Sequence, residues 1–237
     1  MIPRPFLIAN ARLVNPDAGT VTPGAVLMQG GTLTQVFDTP TPDVTLDGLT
    51  TLDARGKCLA PGIVDMGVKV GEPGERHKES YRSAGRAAAA GGVTTIVTRP
   101  DTTPAIDSPE TLEFVTRRAN EASPVRVMPM AALTKGREGR EMTEIGFLLD
   151  AGAIAFTDCD HVVENTKVFA RALTYASALG ALVIAHPQDP VLSSGAAVNS
   201  GKFASLRGLL AVSPIAERMG LDRDIALIEM TRAQAHT

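Results

Sequence analysis

The sequence predicts an α/β protein: a parallel sheet of the (β/α)8 TIM-barrel type, incomplete in this chain, preceded by a small N-terminal domain of β-strands. Three observations lead there. From about Cys58 onward, strand-like and helix-like segments alternate through five successive units, the rhythm of a parallel sheet with right-handed crossovers. The Gly-rich phosphate loop that would favour an open dinucleotide-binding sheet is missing, since "GGVTT" follows a helix and precedes a strand, the reverse of the required order. The polar residues Lys69, Asp101, Asp158 and His186 fall at the C-terminal ends of several strands, where a barrel carries its site.

The elements follow in order. Residues 1–57 read as a small antiparallel sheet, with short apolar runs such as "FLIANARLV" and "AVLMQGGTLTQVF" separated by the turn residues of "NPDAG" and "TPTPD". Residues 58–237 then form the barrel part. "CLAPGIVDMGVKV" has the continuous apolar character of a buried strand, and "HKESYRSAGRAAAAGG" is an alanine-rich helix closed by Gly91 and Gly92. "VTTIVTRP" is a β-branched strand ending at proline; the helix after it opens with Ser108 as N-cap and Pro109 at the first helical position. "PVRVMPMAAL" is the next strand. "EMTEIGFLLDAG" sets Met142, Ile145, Leu148 and Leu149 on one helical face and stops at Gly152, and "AIAFTD" reads as a short strand. A helix from Glu164 to Leu179 capped by Gly180, a fifth strand "ALVIAH" and a helix over "DRDIALIEMTRAQ" complete the reading.

Composition bounds the partners. A net charge of -3 with both signs mixed throughout gives neither a basic stripe for nucleic acid nor a polybasic membrane anchor, and 4% aromatic residues without tryptophan offer little stacking surface. No apolar run reaches the length of a membrane span, and "MIPRPFLIAN" lacks the pattern of a signal peptide, so a cytoplasmic location is expected. Cys58 and Cys159 stand far apart without metal-ligand spacing, as two unpaired thiols of a reducing compartment would.

Four stretches, "DARGKCLAPGIVDMGVKVGEPGERHKES", "RAAAAGGVTTIVTRPDTTP", "GAIAFTDCD" and "ALVIAHPQDP", resemble in order and spacing the dihydroorotases of the amidohydrolase superfamily. The resemblance implies a metal-dependent (β/α)8 barrel with a small β-sandwich built from both chain ends, closing or opening the dihydroorotate ring in pyrimidine biosynthesis. One or two zinc ions would activate water and polarise the amide carbonyl.

Matched position by position, the family's His-x-His at the first strand end is Gly67, Val68 and Lys69 here. Glycine offers no donor and a protonated lysine repels a cation. The arginine that contacts the substrate carboxylate is Gly71, and the substrate-binding asparagine is Asp101, whose charge opposes an anionic substrate; Arg99 lies beside it with its direction open. An aspartate metal position is Cys159, which as a thiolate could still bind zinc. His186 keeps its type, and His236 falls just short of the histidine expected on the sixth strand.

Each residue has a plain structural reading as well. His186 is either a surviving zinc ligand or a hydrogen-bonded residue at a strand end. Lys69 either fills the former metal space by pairing with Asp101 or Asp158, or points into solvent. Asp158 and Asp160 read as a carboxylate pair or as turn and cap residues, His77 and His161 as surface residues, and Glu72 with Pro73 as shaping a loop. Four changes in one site, at Gly67, Lys69, Gly71 and Cys159, make the sequence most similar to the non-catalytic pseudo-dihydroorotases. That likeness implies no cofactor, assembly as an oligomer, and aspartate transcarbamoylase as partner. The alternative is an active cyclic amidohydrolase of dihydroorotase, hydantoinase or allantoinase type, with zinc on His186 and Cys159. A complete barrel takes about 250 residues, so the remaining strands are expected to lie elsewhere.

Overall fold

The computed structural model describes residues 4–237, and the first three residues of the predicted small domain lie outside them. The chain divides into two units, the first ending at Gly62 and the second running Ile63–Thr237.

The first unit is one five-stranded sheet. Its strands β1 (Phe6–Asn15), β2 (Thr20–Gln29), β3 (Thr32–Phe37) and β4 (Thr50–Asp53) lie in the order β3-β2-β1-β4, and β5 (Cys58–Leu59) also pairs with β1. The expected antiparallel sheet is mixed, because β1 pairs with β2 antiparallel but with β4 and β5 parallel. The expected sandwich is likewise a single sheet among the described residues. Leu7, Ala9, Ala25 and Leu27 on its buried face pack against Phe37 at the end of β3 and against Val44, Leu46 and Leu49 of the loop before β4.

The second unit opens with β6 (Ile63–Val68), α1 (Tyr81–Ala90), β7 (Val93–Thr98), α2 (Pro109–Ala122) and β8 (Arg126–Pro129). β6, β7 and β8 pair parallel in that order. The stretch read as one buried strand over Cys58–Val70 is therefore two strands: its start joins the first sheet, and among the described residues β6 is an edge strand with Ile63, Val64 and Met66 56%, 56% and 59% exposed. Its apolar residues have strand character, but burial depends on a second neighbour, and among the described residues β6 pairs with β7 alone.

The helix ends match their local chemistry. Ser80 and Ser83 form a reciprocal capping box on α1. Ser108 Oγ accepts from Thr111 N at the start of α2, with Pro109 following. α3 (Ile145–Asp150) is shorter than its apolar spacing predicts: Met142 lies before it, in an isolated bridge to Thr134. α4 (Thr166–Leu179) begins two residues later than Glu164 because the Asn165 side chain accepts from Lys167 N and Val168 N, and it ends at Gly180 with φ 66°.

"AIAFTD" reduces to one bridging residue. Phe156 pairs parallel with Ala131 on one side and Val183 on the other, linking β8 to β9 (Leu182–Ile184). After β9 come α5 (Pro190–Ser193), β10 (Val198–Asn199), α6 (Lys202–Arg207) and β11 (Ala211–Val212), short elements with no periodic signal in the sequence, and then α7 (Ile215–Thr231). The helix expected over 222–234 thus starts earlier. A sixth strand follows it, β12 (Gln234–His236), parallel to β9 with His236 opposite Ile184.

The result is a parallel run, β6-β7-β8-Phe156-β9-β12, with residues of α2, α3 and α4 packed against it. Its core gathers Ile106, Leu112, Val115, Ile145, Leu148, Phe156, Phe169, Leu173 and Val183, all fully buried. Gly220 of α7 meets the chain at Gln188, where a Cβ would lie 2.2 Å from the backbone nitrogen, so only glycine lets the helix come this close. Among the described residues no helix is long and apolar enough to cross a membrane.

Candidate functional site at the strand ends

Parallel strands place the residues that follow them at one end of the sheet, and here the charged residues gather. Lys69 follows β6, Arg99 and Asp101 follow β7, Arg137 lies in the 3-10 turn Lys135–Arg137 after β8, and Asp160 follows the Phe156 bridge. They form one connected ladder. Lys69 Nζ is 3.1 Å and Arg99 Nη2 2.9 Å from Asp101 Oδ2; Arg99 Nη2 reaches Asp160 Oδ1 at 3.5 Å, and Arg137 Nη2 reaches the same oxygen at 2.9 Å. Of the two readings of Lys69, the structure shows the ion pair, with Asp101 and not Asp158 as partner, although the lysine side chain remains 55% exposed.

Asp158 is occupied elsewhere. Its Oδ1 accepts from Leu133 N and Thr134 N, each at 3.0 Å, and Oδ2 accepts from the Thr134 hydroxyl. Burial raises its pKa, against the pull of these hydrogen bonds. It anchors the loop after β8 and does not form an acid/base pair with Asp160. Burial also pushes Asp160 up, but its own backbone N–H together with the charges of Arg137, His161 and Arg99 outweighs it and holds the carboxyl below its ordinary value.

Cys159, at φ 60° between them, has its thiol pushed up to about 11, first by burial and then by the Asp101 charge, with Arg99 and Arg137 pulling the other way. Glu72 is nearly buried and accepts from Tyr81 N at 3.1 Å and Arg118 Nε at 2.7 Å. It ties the loop after β6 to α1 and α2. His161 holds the Arg137 carbonyl at 2.9 Å through Nδ1, and His77 is exposed.

A cavity of about 660 Å³ opens beside the ladder, lined by Gly67, Arg99, Cys159, His186 and His236 over an apolar floor that includes Met130 and Ile184. The structure thus brings His186, Cys159 and Gly67 to one space, and adds His236, which β12 carries in. It keeps Gly71 apart: a Cβ there would lie 2.5 Å from the Glu75 carbonyl oxygen, so the loop is closed against any side chain at that position. Sequence reasoning missed Arg137, which sits in a polar loop without periodicity. It left the direction of Arg99 open, and only the fold aims that residue at Asp101 and Asp160.

The described residues do not by themselves make up a zinc site. Among the described residues no three His, Cys, Asp or Glu side chains converge as metal ligands. Gly67 supplies no donor, and Lys69 brings a positive charge that Asp101 holds in place.

The sequence pattern described as dihydro-orotase-like matches residues 56–236. A protein of Syntrophobacter fumaroxidans named dihydroorotase is 37% identical over 234 residues, covering 98% of this chain and 53% of that protein. A dihydroorotase-like protein of Pseudomonas putida is 36% identical over 229 residues, covering 97% and 53%. Among solved structures, L-hydantoinase (dihydropyrimidinase) from Arthrobacter aurescens superposes with a TM-score of 0.79 at 20% identity, over 98% of this chain and 52% of that one, a likeness of fold. The chain spans about half the length of the curated relatives it matches. With 181 of its 237 residues inside the family pattern and a relative at this identity along nearly its whole length, the chain belongs to the dihydro-orotase-like family.

Proposed function

We propose that this chain is part of a dihydroorotase-type protein that has lost cyclic-amide hydrolysis and serves as a structural partner of aspartate transcarbamoylase, a pseudo-dihydroorotase. The parallel run from β6 to β12 is then part of a (β/α)8 barrel, the protein is cytoplasmic, and it works as an oligomer without a cofactor. The observation that carries this reading is the Lys69–Asp101 ion pair at the first strand end, where the chemistry of the family needs two imidazoles. A water molecule activated near neutral pH needs a metal or a base at that point. Lys69 is a bound ammonium, and the Asp101 carboxylate already faces two cations. The assignment of the partner rests on the family resemblance.

The placement of Cys159, His186 and His236 on one cavity favours a second reading, an active cyclic amidohydrolase with an altered metal site. One experiment separates the two: elemental analysis of protein purified without added zinc, together with a hydrolysis assay on dihydroorotate and carbamoyl aspartate. Substoichiometric metal and no turnover are expected. Zinc held stoichiometrically and released on replacing His186 and Cys159 would establish the second reading.

A further inference from the structure

Asp101 is held in the manner of a bound anion. Its side chain is only 3% exposed, and its Oδ2 lies between two cations from different strand ends, Lys69 beyond β6 and Arg99 beyond β7. Yet the match is half made. Asp101 Oδ1 and Arg99 Nε are both buried, and neither has a hydrogen-bond partner. Asp158 shows the contrast, since both of its oxygens are satisfied in the same region.

An arginine presents Nε and an Nη as a planar fork that a carboxylate meets side-on with two parallel hydrogen bonds. Asp101, two residues along the same chain, reaches Arg99 with one oxygen at Nη2 and leaves the other prong and the other oxygen idle. The cations outnumber the carboxylates in the ladder: Lys69, Arg99 and Arg137 face Asp101 and Asp160.

We propose that Lys69 and Arg99 form a receptor for a small carboxylate and that the chain fills it with its own Asp101, so that the site is self-occupied. A tethered group sits at high effective concentration, which keeps free carboxylates out of the wild-type site. The inference rests on the reading that Lys69 stands in place of a metal ligand.

The test is thermal unfolding of the Asp101→Ala chain in formate or acetate, with chloride exchanged at constant ionic strength. The variant melts below wild type, and carboxylate raises its melting temperature along a saturating curve, while wild type does not respond. Adding Lys69→Met to Asp101→Ala abolishes the response. Equal responses from Asp101→Ala and wild type, or an undiminished response after Lys69→Met, overturn the proposal. Asp101→Asn, which keeps the shape and removes the charge, takes the same titration where the alanine variant does not fold, with the same two outcomes. Stoichiometric zinc in the wild-type chain would sink the functional reading on its own; an Asp101→Ala chain indifferent to carboxylate sinks only the receptor.

Discussion

Lys69 Nζ lies 3.1 Å from Asp101 Oδ2, joining residues that follow neighbouring strands, β6 and β7. Removing either partner leaves an unbalanced charge: a lysine without a counter-ion, or a buried carboxylate facing Arg99 alone. Replacing Lys69 with methionine is therefore expected to destabilise the wild-type chain by about 1 kcal/mol, since the lysine is more than half exposed. In the Asp101→Ala background the same replacement costs less or stabilises. A double-mutant cycle in urea measures the coupling, and strict additivity would show that the pair is incidental.

Gly67 has φ +84°, and a Cβ built on it meets nothing within 4 Å. The cost of any side chain there is thus set by the backbone and not by crowding. Gly67→Ala is expected to lower stability by about 1–2 kcal/mol through the left-handed conformation alone. Gly67→His should cost a similar amount. Denaturant unfolding compares them; a much larger loss for histidine would point to a clash that the structure does not contain. Rebuilding a His-x-His pair at this strand end therefore also requires the backbone to turn back.

Glu72 links three segments, and burial works against it while Arg118, the Tyr81 amide and Arg76 hold its carboxyl below the ordinary value. A depressed folded-state pKa means stability that is present above the unfolded value, near 4.3, and is lost as pH falls toward the folded one. Glu72→Gln should cost about 1.5–3 kcal/mol at pH 7, from the loss of hydrogen bonds to a charged group. The gap from wild type should narrow below about pH 4. Asp158, raised by burial, has the opposite slope, because acid relieves it. Unfolding curves from pH 3 to 7 for Glu72→Gln check the sign.

Cys159 is held as a neutral thiol, pushed up to about 11. Alkylation follows the thiolate, so in a Cys58→Ser background the native protein should react slowly at pH 8, and the rate should keep rising up to about pH 11. Asp101→Ala removes one of the charges that raises the thiol and should speed the reaction at fixed pH. Rates of iodoacetamide labelling followed by mass give the profile, and a plateau below pH 9 would contradict the environment described.

Much of the architecture was legible because it rests on local chemistry. Ser108 with Pro109, Gly180 after an apolar helix, and β-branched "VTTIVT" before proline specify their elements through caps, φ preference and χ1 stiffness, which act within a few residues. The motif order named Gly67, Lys69, Gly71, Asp101, Cys159 and His186 as candidate positions, of which the structure sets Gly67, Cys159 and His186 on one cavity and pairs Lys69 with Asp101. Elements set by pairing partners were read less well. "AIAFTD" has strand composition, yet only Phe156 pairs, and "GIVDMGV" has a buried composition on an exposed edge strand. Both outcomes depend on which strands lie alongside, which is non-local.

The sequence by itself determined the alternation of strands and helices, the family, and the placing of Gly67 and Lys69 at the first strand end, since each is written in residue type and spacing. Only the tertiary structure decided that Lys69 takes Asp101 and not Asp158, that Arg99 turns inward and joins Arg137 on Asp160, and that His236 shares a cavity with His186. The physical reason is the same in each case. Electrostatic partners are chosen by distances of a few ångströms between groups tens of residues apart, and those distances exist only once the parallel strands have brought their ends together.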